Sequence, residues 1–417
     1  MLSCRNGRYD SLVLEGRLGG DRCVKVTVSE GVITQIEPGG SSSALVAPAF
    51  VDPHVHLRTP GREDKETIAS GTAAAAAGGY CAILAMPNTD PVVDSAPILR
   101  GLVDAARREA VVPLGFMAAI SRSLQGEELT ELGELADAGA AAFSDDGQPV
   151  RSAGLMRRAL RYGAITGRKL ALHCEDPTLS HEGQMHEGAV AAELGLTGYP
   201  SVGESTVVER DLALAAYEER PIHLLHLSAR ESVEALELAQ SRGVGATGEV
   251  TPHHLVLTDD AVRSLDTNVK MNPPLRAEAD RRALLDGLRS GTIGAIATDH
   301  APHSREEKEV PFEAAPFGVT GLETAFAALY THLVLPGLLP LETLLERMSG
   351  GPARALGLPE PRLEVGARAN LVLLDLEAEW TVTEAGFRSR SANSWLLGER
   401  LRGAAVKTVA DGRVVHG

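Results

Sequence analysis

Short apolar runs alternate with helix-like stretches through the middle of the chain. Such runs are typical of strands buried on both faces, because these strands need no polar alternation. Stretches rich in Ala, Leu, Glu and Arg lie between them, for example residues 153–166, 206–219, 232–241 and 277–290. Strands alternating with helices over about 310 residues predict a (β/α)8 barrel of the TIM type, in the α/β class. The predicted strands are residues 45–51, 82–86, 112–117, 140–143, 169–172, 222–227, 246–250 and 293–297.

The two ends of the chain have a different pattern. Short runs rich in Val, Leu and Ile at residues 11–14, 23–28 and 31–36 are separated by Gly-rich turns, which predicts small antiparallel β-structure. Residues 370–376 and 404–415 repeat this style, and Asp411-Gly412 is a hairpin signal. We therefore expect residues 1–47 and 359–417 to form one composite β-sandwich domain, with the barrel at residues 48–358.

Composition and charge exclude several classes of function. Asp and Glu number 56 against 40 Lys and Arg, so the net charge of −16 disfavours nucleic acid and anionic membranes as partners. No apolar stretch approaches the about 20 residues of a membrane span, and residues 1–11 lack the apolar core of a signal peptide. The four cysteines form no CxxC pair. We expect a cytoplasmic protein without a disulfide framework.

Potential metal ligands follow the predicted strands. His54 and His56 come after the first strand, and residues i and i+2 of a strand face the same side. An HxH pair alone is weak, but further His and Asp residues lie at the carboxyl ends of other strands, where a barrel has its active site. Six ligands suit two divalent ions if one carboxylate bridges them. The six are His54, His56, Asp146, His173, His226 and Asp299.

Several motifs together resemble the class I dihydroorotases of the amidohydrolase superfamily. The resemblance extends through nearly the whole chain and implies reversible cyclisation of N-carbamoyl-L-aspartate to L-dihydroorotate in de novo pyrimidine biosynthesis. HxH alone marks only the superfamily, and the combination of motifs is more specific. The motifs are VDPHVHLRTPG (51–61), MPNTDP (86–91), FSDDG (143–147), HCED (173–176), VKMNPPLR (269–276), ATDHAPH (297–303) and APFGVTGLET (315–324).

The resemblance implies a binuclear zinc centre. His54, His56 and Asp299 would hold one Zn²⁺, His173 and His226 would hold the second, and Asp146 would bridge the two. Asp145 is the neighbouring alternative, and Asp146 is preferred because its spacing to His173 matches that of the family. Water activated between the ions would attack the ring carbonyl, and Asp299 would act as general base and then as general acid.

The resemblance also implies the substrate contacts. Arg58 lies two residues after His56, so strand alternation directs it to the same mouth, where its planar fork suits a carboxylate. Many relatives carry Glu where Thr59 stands, which leaves contacts of that loop open. The charged segment 304–313 is a solvated loop or a lid over the mouth. The expected substrate-binding residues are His56, Arg58, Asn88, Asn272, His303, Phe317 and Gly318.

Two competing functions stay open. One is another cyclic amidohydrolase, an allantoinase or a hydantoinase, although many of these use a carboxylated lysine as the bridge, where this chain has Asp146. The other is an inactive dihydroorotase-like scaffold of aspartate transcarbamoylase, although such relatives have lost ligands. Besides its small-molecule substrate, the partners implied are a second copy of the chain in a homodimer and, for an active enzyme too, aspartate transcarbamoylase.

Overall fold

The computed structural model describes residues 2–5, 11–19 and 22–417. The predicted composite β domain begins at residue 1, and residues 1, 6–10, 20 and 21 lie outside the described part. Among the described residues, no helix is both long enough and apolar enough to cross a membrane.

Strands occur along the whole described chain. In chain order they are β1 (Leu12–Arg17), β2 (Cys23–Ser29), β3 (Val32–Pro38), β4 (Leu45–Pro48), β5 (Phe50–Val55), β6 (Tyr80–Ala85), β7 (Leu114–Ala118), β8 (Ala142–Phe143), β9 (Leu170–Leu172), β10 (Met185–His186), β11 (Gly198–Tyr199), β12 (Ile222–Leu224), β13 (Ala246–Val250), β14 (Ala295–Ile296), β15 (Leu371–Thr381), β16 (Arg400–Ala410) and β17 (Arg413–His416).

Helices lie mainly between β5 and β15. They are α1 (Ile68–Ala77), α2 (Ala96–Glu109), α3 (Leu132–Ala138), α4 (Ala153–Thr166), α5 (Pro177–Ser180), α6 (Ala189–Leu194), α7 (Val202–Glu218), α8 (Arg230–Ser241), α9 (Pro252–Val256), α10 (Glu278–Ser290), α11 (Arg305–Lys308), α12 (Ala325–Leu329), α13 (Leu341–Met348) and α14 (Gly350–Leu356). Short 3₁₀ segments cover Arg122–Leu124, Asp259–Ser264, Thr267–Val269, Phe312–Ala314 and Glu384–Gly386, and Tyr330–Val334 forms a π-helical turn.

The eight central strands form a parallel barrel, which confirms the predicted fold class. Their order is β14-β13-β12-β9-β8-β7-β6-β5, and every neighbouring pair is parallel. The ring closes just beyond the two outer strands, where Val55 bridges His300 and the His56 amide donates to the His300 carbonyl at 2.8 Å. Each predicted strand overlaps one observed barrel strand, so the apolar runs located the barrel correctly.

The first predicted strand is wrong in its extent. Residues 45–51 are split at Ala49: Leu45–Pro48 pairs with β1 and β15 in another sheet, and the barrel strand begins at Phe50. Both pieces are buried and apolar, so the hydrophobic pattern contains no signal of the break.

Strands from both ends of the chain form one seven-stranded sheet. Its order is β17-β16-β15-β4-β1-β2-β3, antiparallel except between β1 and β4. Asp411 and Gly412 connect β16 to β17 with positive φ angles of 49° and 77°, as the hairpin signal predicted. This sheet contacts the barrel where the Thr408 hydroxyl donates to the Ala76 carbonyl at 2.7 Å. The division at residues 47/48 and 358/359 stays a prediction that this pairing supports.

The barrel strand that leads to Asp299 packs against a glycine of α14. A Cβ atom added at Gly351 would lie 2.0 Å from the Gly294 carbonyl oxygen, whereas one added at Gly294 would have no heavy atom within 4 Å. The backbones of α14 and of the residue before β14 therefore touch directly, and only one of the two glycines is required for this approach.

We expect Gly351→Ala to destabilise the protein by about 1–3 kcal/mol or more, because backbone atoms would have to move to admit the methyl group. Gly294→Ala, the matched control on the other side of the same contact, should change stability by only a few tenths of a kcal/mol. Urea denaturation followed by circular dichroism measures both. Equal shifts of the two midpoints would contradict this account of the contact.

Candidate metal centre and active site

The six ligand candidates predicted from the sequence meet at one end of the barrel. His54 lies near the end of β5 and His56 directly after it, and the other four follow the carboxyl ends of β8, β9, β12 and β14. All six side chains are buried: His54, His56, Asp146, His173, His226 and Asp299. The predicted convergence is therefore present in the geometry.

Asp146 faces two pairs of histidines with its two oxygens. Its Oδ2 lies 3.6 Å from Nε2 of His54 and 3.5 Å from Nε2 of His56. Its Oδ1 lies 3.3 Å from Nε2 of His226 and 3.6 Å from Nδ1 of His173. A carboxylate placed between two groups of nitrogen ligands has the geometry of a bridge.

Asp299 lies on the His54 and His56 side of the cluster. Its Oδ1 is 3.0 Å from Nε2 of His56 and 3.4 Å from Nε2 of His54. Burial alone raises the pKa of Asp299, but the neighbouring imidazoles His54, His56 and His226 hold that pKa well below its usual range. Asp299 is therefore a carboxylate at neutral pH and can accept a proton.

The outward nitrogens of three histidines are held by oxygen acceptors. His54 Nδ1 donates to Glu249 at 2.8 Å, and His56 Nδ1 donates to Asn88 Oδ1 at 2.9 Å. His173 Nε2 donates to Glu175 at 2.9 Å. Each bond leaves the lone pair on the other ring nitrogen, which is the one directed into the cluster, as in metal-binding histidines generally.

The donor set fits divalent metal ions. His54 Nε2 is fully buried and has no hydrogen-bond partner in the part of the chain that the structure describes. The ligand atoms of His54, Asp146 and His226 lie within 4.8 Å of one another, as do those of His54, His56 and Asp299. Buried nitrogen and carboxylate ligands at such separations suit zinc or a similar divalent ion.

The carboxylates of Asp145 and Asp146 lie in different places, and this separates the two candidates for the bridging ligand. Asp145 accepts hydrogen bonds from the amides of Ile120 and Ser121 at 2.8 and 3.0 Å, and from the Ser121 hydroxyl. Its carboxylate thus holds the turn after β7, while the carboxylate of Asp146 lies among the histidines.

Three residues at this cluster have a strained backbone. His226 and Asp299, which lie at the ends of β12 and β14, have φ angles of 30° and 47°, and Arg58 has a φ of 56°. These are left-handed conformations that cost non-glycine residues about 1–3 kcal/mol each, and the surrounding packing must hold them.

Glu249 is a site residue that the sequence analysis missed. It lies in β13, is fully buried, and accepts hydrogen bonds from His54 Nδ1, from His223 Nε2 at 2.9 Å and from the His226 amide at 3.3 Å. Burial alone would raise its pKa, but the hydrogen bonds from His223 and His54 lower it to about 2. A carboxylate inside an otherwise apolar barrel strand was the available signal.

Asp52 is a second missed residue, and it connects the first barrel strand, β5, to the segment after the last one, β14. Its carboxyl accepts from the His54 amide at 3.1 Å, from the Thr298 amide at 3.2 Å and from the Thr298 hydroxyl at 2.5 Å. Burial raises the pKa of Asp52 to about 7. These bonds fix the segments that carry His54 and Asp299 relative to each other.

An open cavity of about 540 Å³ lies above the cluster. Most of the predicted substrate-binding residues line this cavity, namely His56, Arg58, Asn88, Asn272, Phe317 and Gly318. Besides His56, four further ligand candidates line it: Asp146, His173, His226 and Asp299.

Three predicted substrate residues already have partners within the protein. Asn88 donates its amide to Asp146 Oδ2 at 3.3 Å, so it also orients the cluster. Asn272 donates to Glu175 at 3.0 Å, while its buried Oδ1 has no hydrogen-bond partner among the described residues. His303 lies behind the cavity wall, with Nε2 2.8 Å from the Phe317 carbonyl oxygen.

Of His253 and His254, two neighbouring histidines outside the expected ligand set, His254 has structural hydrogen-bond partners. The Thr251 hydroxyl lies 2.7 Å from His254 Nδ1, and His254 Nε2 donates to the Pro273 carbonyl at 3.0 Å. Both rings are buried, and burial lowers the pKa of each.

The chain is similar to known cyclic amidohydrolases over almost all of its length. A family model described as Dihydro-orotase-like matches residues 43–232. A dihydroorotase of Caldanaerobacter subterraneus subsp. tengcongensis is 41% identical over 97% of this chain and 96% of its own. A dihydroorotase of Anaeromyxobacter sp. strain K is 49% identical over 89% of this chain and 86% of its own.

The fold has solved relatives as well. The structure of an L-hydantoinase (dihydropyrimidinase) from Arthrobacter aurescens superimposes with a TM-score of 0.86 at 26% identity, covering 96% of this chain and 94% of that one. The barrel and the sheet formed by both ends of the chain thus belong to one shared architecture.

We expect Glu249→Gln to weaken divalent metal binding by about 10–100-fold, because the amide holds His54 Nδ1 less strongly than the carboxylate does. Glu234→Gln on the exposed face of α8 is the control. Titration of the metal-free protein with Zn²⁺ measures the affinity directly and needs no turnover. An unchanged affinity in Glu249→Gln would show that the hydrogen bond to His54 does not tune the centre.

Proposed function

This chain belongs to the dihydroorotase family, and we propose that it interconverts N-carbamoyl-L-aspartate and L-dihydroorotate at the cluster around Asp146. The observation that carries the proposal is the placement of Asp146, whose two oxygens face two separate histidine pairs, with Asp299 beside one of them. This arrangement supports a binuclear site for hydrolysis of a cyclic amide.

Zinc is the metal that we propose, with two ions per chain. His54, His56 and Asp299 would hold one, His173 and His226 the other, and Asp146 both. When bound, the ions lower the pKa of water and polarise the carbonyl oxygen of the substrate. Nε2 of His54, which is buried without a hydrogen bond to the described residues, and the short separations between the ligand atoms support this assignment.

Asp299 transfers the proton in both directions. In hydrolysis it accepts a proton from the attacking water and gives that proton to the ring nitrogen as the C–N bond breaks. In ring closure it takes the proton from the ureido nitrogen, which attacks the carbon of the protonated carboxyl group, and returns that proton to the departing hydroxyl group, so that water leaves. Its lowered pKa keeps it ready as the base.

Arg58, Asn88 and His303 orient the substrate by its carboxylate. Arg58 lines the cavity, and its Nη2 lies 3.4 Å from His303 Nε2, so the two side chains present nitrogen atoms to one place. Asn272 and the backbone of Phe317 and Gly318 contact the ring. A Cβ on Gly318 would lie 2.6 Å from that of Ala301, so only glycine permits this close backbone packing.

The first test is a comparison of substrates. The purified protein, loaded with Zn²⁺, should turn over dihydroorotate and close carbamoyl aspartate, with kcat/KM at least about 100-fold above that for hydantoin or allantoin, because Arg58 needs a carboxylate partner. Spectrophotometric ring-opening assays with all three compounds measure this. A higher kcat/KM for hydantoin or allantoin would replace the proposal with the second candidate, a cyclic amidohydrolase for ligands without the carboxylate.

The second test is Asp299→Ala. We expect kcat to fall by at least about 10³-fold, because the general base and a ligand are lost together. Asp286→Ala, which removes an exposed carboxylate that pairs with Arg289, is the matched control and should keep parental activity. Circular dichroism and metal analysis accompany the assay. Substantial turnover by a folded Asp299→Ala variant with bound metal would remove Asp299 from this role.

A further inference from the structure

The imidazole of His303 lies between two acceptors. Nδ1 is 3.2 Å from Glu307 Oε2, one turn further along the chain, and Nε2 is 2.8 Å from the Phe317 carbonyl oxygen. A neutral imidazole carries one N–H group and can donate to only one of them. Both bonds form together only when the ring is protonated on both nitrogens.

Glu307 is itself fixed from the opposite side. Its Oε1 accepts from the buried Lys65 ammonium at 2.6 Å and from Arg62 at 3.3 Å. Although partial burial would raise the pKa of Glu307, hydrogen bonds from Lys65 and His303 lower it to about 2. Glu307 is therefore anionic over the working pH range, and its direction is set by Lys65.

The backbone around His303 is also held in place. The His303 amide donates to Asn393 Oδ1 at 3.0 Å, and Asn393 donates to the carbonyls of Ala301 and Gly318 at 3.2 Å each. The imidazole is thus fixed at its backbone and at Nδ1. The remaining nitrogen, Nε2, lies 3.4 Å from Nη2 of Arg58, which lines the cavity, and 2.8 Å from the carbonyl oxygen of Phe317, which lines it too.

We propose that Glu307, positioned by Lys65, keeps a proton on Nδ1 of His303 and stabilises the imidazolium form that a substrate carboxylate requires at Nε2. Glu307 is a positioning residue, since it acts on the substrate only through His303. This inference rests on the proposed function, in which His303 binds the carboxylate of dihydroorotate or carbamoyl aspartate. A carboxylate accepts hydrogen bonds and is repelled by a bare imidazole lone pair, which makes the second proton necessary.

The charges around His303 determine the direction of the pH effect. Burial and the cations Arg58, Lys308 and Lys65 lower the pKa of His303 to about 3 in the free protein, while the hydrogen bond to Glu307 acts to raise it. The ring is therefore neutral before binding, and a bound carboxylate adds a second anion that raises its pKa. Binding then takes up a proton at any pH between the pKa of free His303 and its higher pKa in the complex, so KM rises with pH across that interval and levels off above it.

The test compares Glu307→Gln with the parent enzyme loaded with Zn²⁺. Glutamine still caps α11, where Glu307 accepts from the Ser304 amide, so the variant removes the charge and keeps the turn. We expect KM for dihydroorotate to rise about tenfold at neutral pH, with kcat within about twofold, and the rise of KM with pH to level off at a lower pH. Glu309→Gln, an exposed neighbour that pairs with Arg305, should match the parent.

A double variant separates positioning from a general structural effect. In a His303→Gln background, Glu307→Gln should add no further increase in KM, since the residue through which it acts is gone. Additive effects of the two changes would overturn the inference.

The remaining outcomes distinguish this inference from the proposed function. A parent enzyme without turnover of dihydroorotate would overturn the proposed function. If His303→Gln raises KM while Glu307→Gln leaves both KM and its pH profile unchanged, the role of Glu307 is overturned and the proposed function stands. If His303→Gln leaves KM unchanged, His303 is not a carboxylate ligand and the inference falls with that contact.

Discussion

The burial of four histidines and two aspartates at one end of the barrel is the constraint on which the rest of the structure depends. Buried polar groups are costly unless each has a partner, and here the outward nitrogens of His54, His56 and His173 find one in Glu249, Asn88 and Glu175. These bonds turn the other nitrogens toward Asp146, where a divalent ion would satisfy them. Metal binding and the stability of this end of the barrel are therefore coupled, because both depend on the same buried nitrogens.

Much of this arrangement could be predicted from the sequence, because barrel strands are apolar throughout and ligands follow their carboxyl ends. That logic located His54, Asp146 and Asp299 without a structure. It missed Glu249 and Asp52 because they lie inside strands and act across neighbouring strands, and a linear pattern does not show which strands are neighbours. The hydrophobic pattern also merged β4 and β5 into one predicted strand, because two consecutive buried strands of different sheets are equally apolar.

The segment 304–313 contains an anchor that its composition does not reveal. Most of its charged residues are exposed, as expected of a solvated loop or a lid. Lys308, however, is buried and donates to the Thr267 and Pro316 carbonyls, and Lys270 donates to those of Phe312 and Glu313. Only six of the 40 basic residues are lysine. Three of the six, Lys65, Lys270 and Lys308, anchor this segment beside the mouth with their compact ammonium groups.

An acidic protein that binds an acidic substrate needs local positive charge. Without ions, the carboxylates of Asp146, Asp299, Glu249 and Glu175 place negative charge beneath the cavity, which opposes the entry of an anionic substrate. Bound metal ions would offset that charge at the cavity floor, while Arg58 supplies a permanent positive charge in the cavity lining. Affinity for the substrate would then be coupled to metal loading, since the same charges that hold the ions would otherwise exclude the anion. The net charge of −16 is a sum over the whole chain and does not describe the local charge in this cavity.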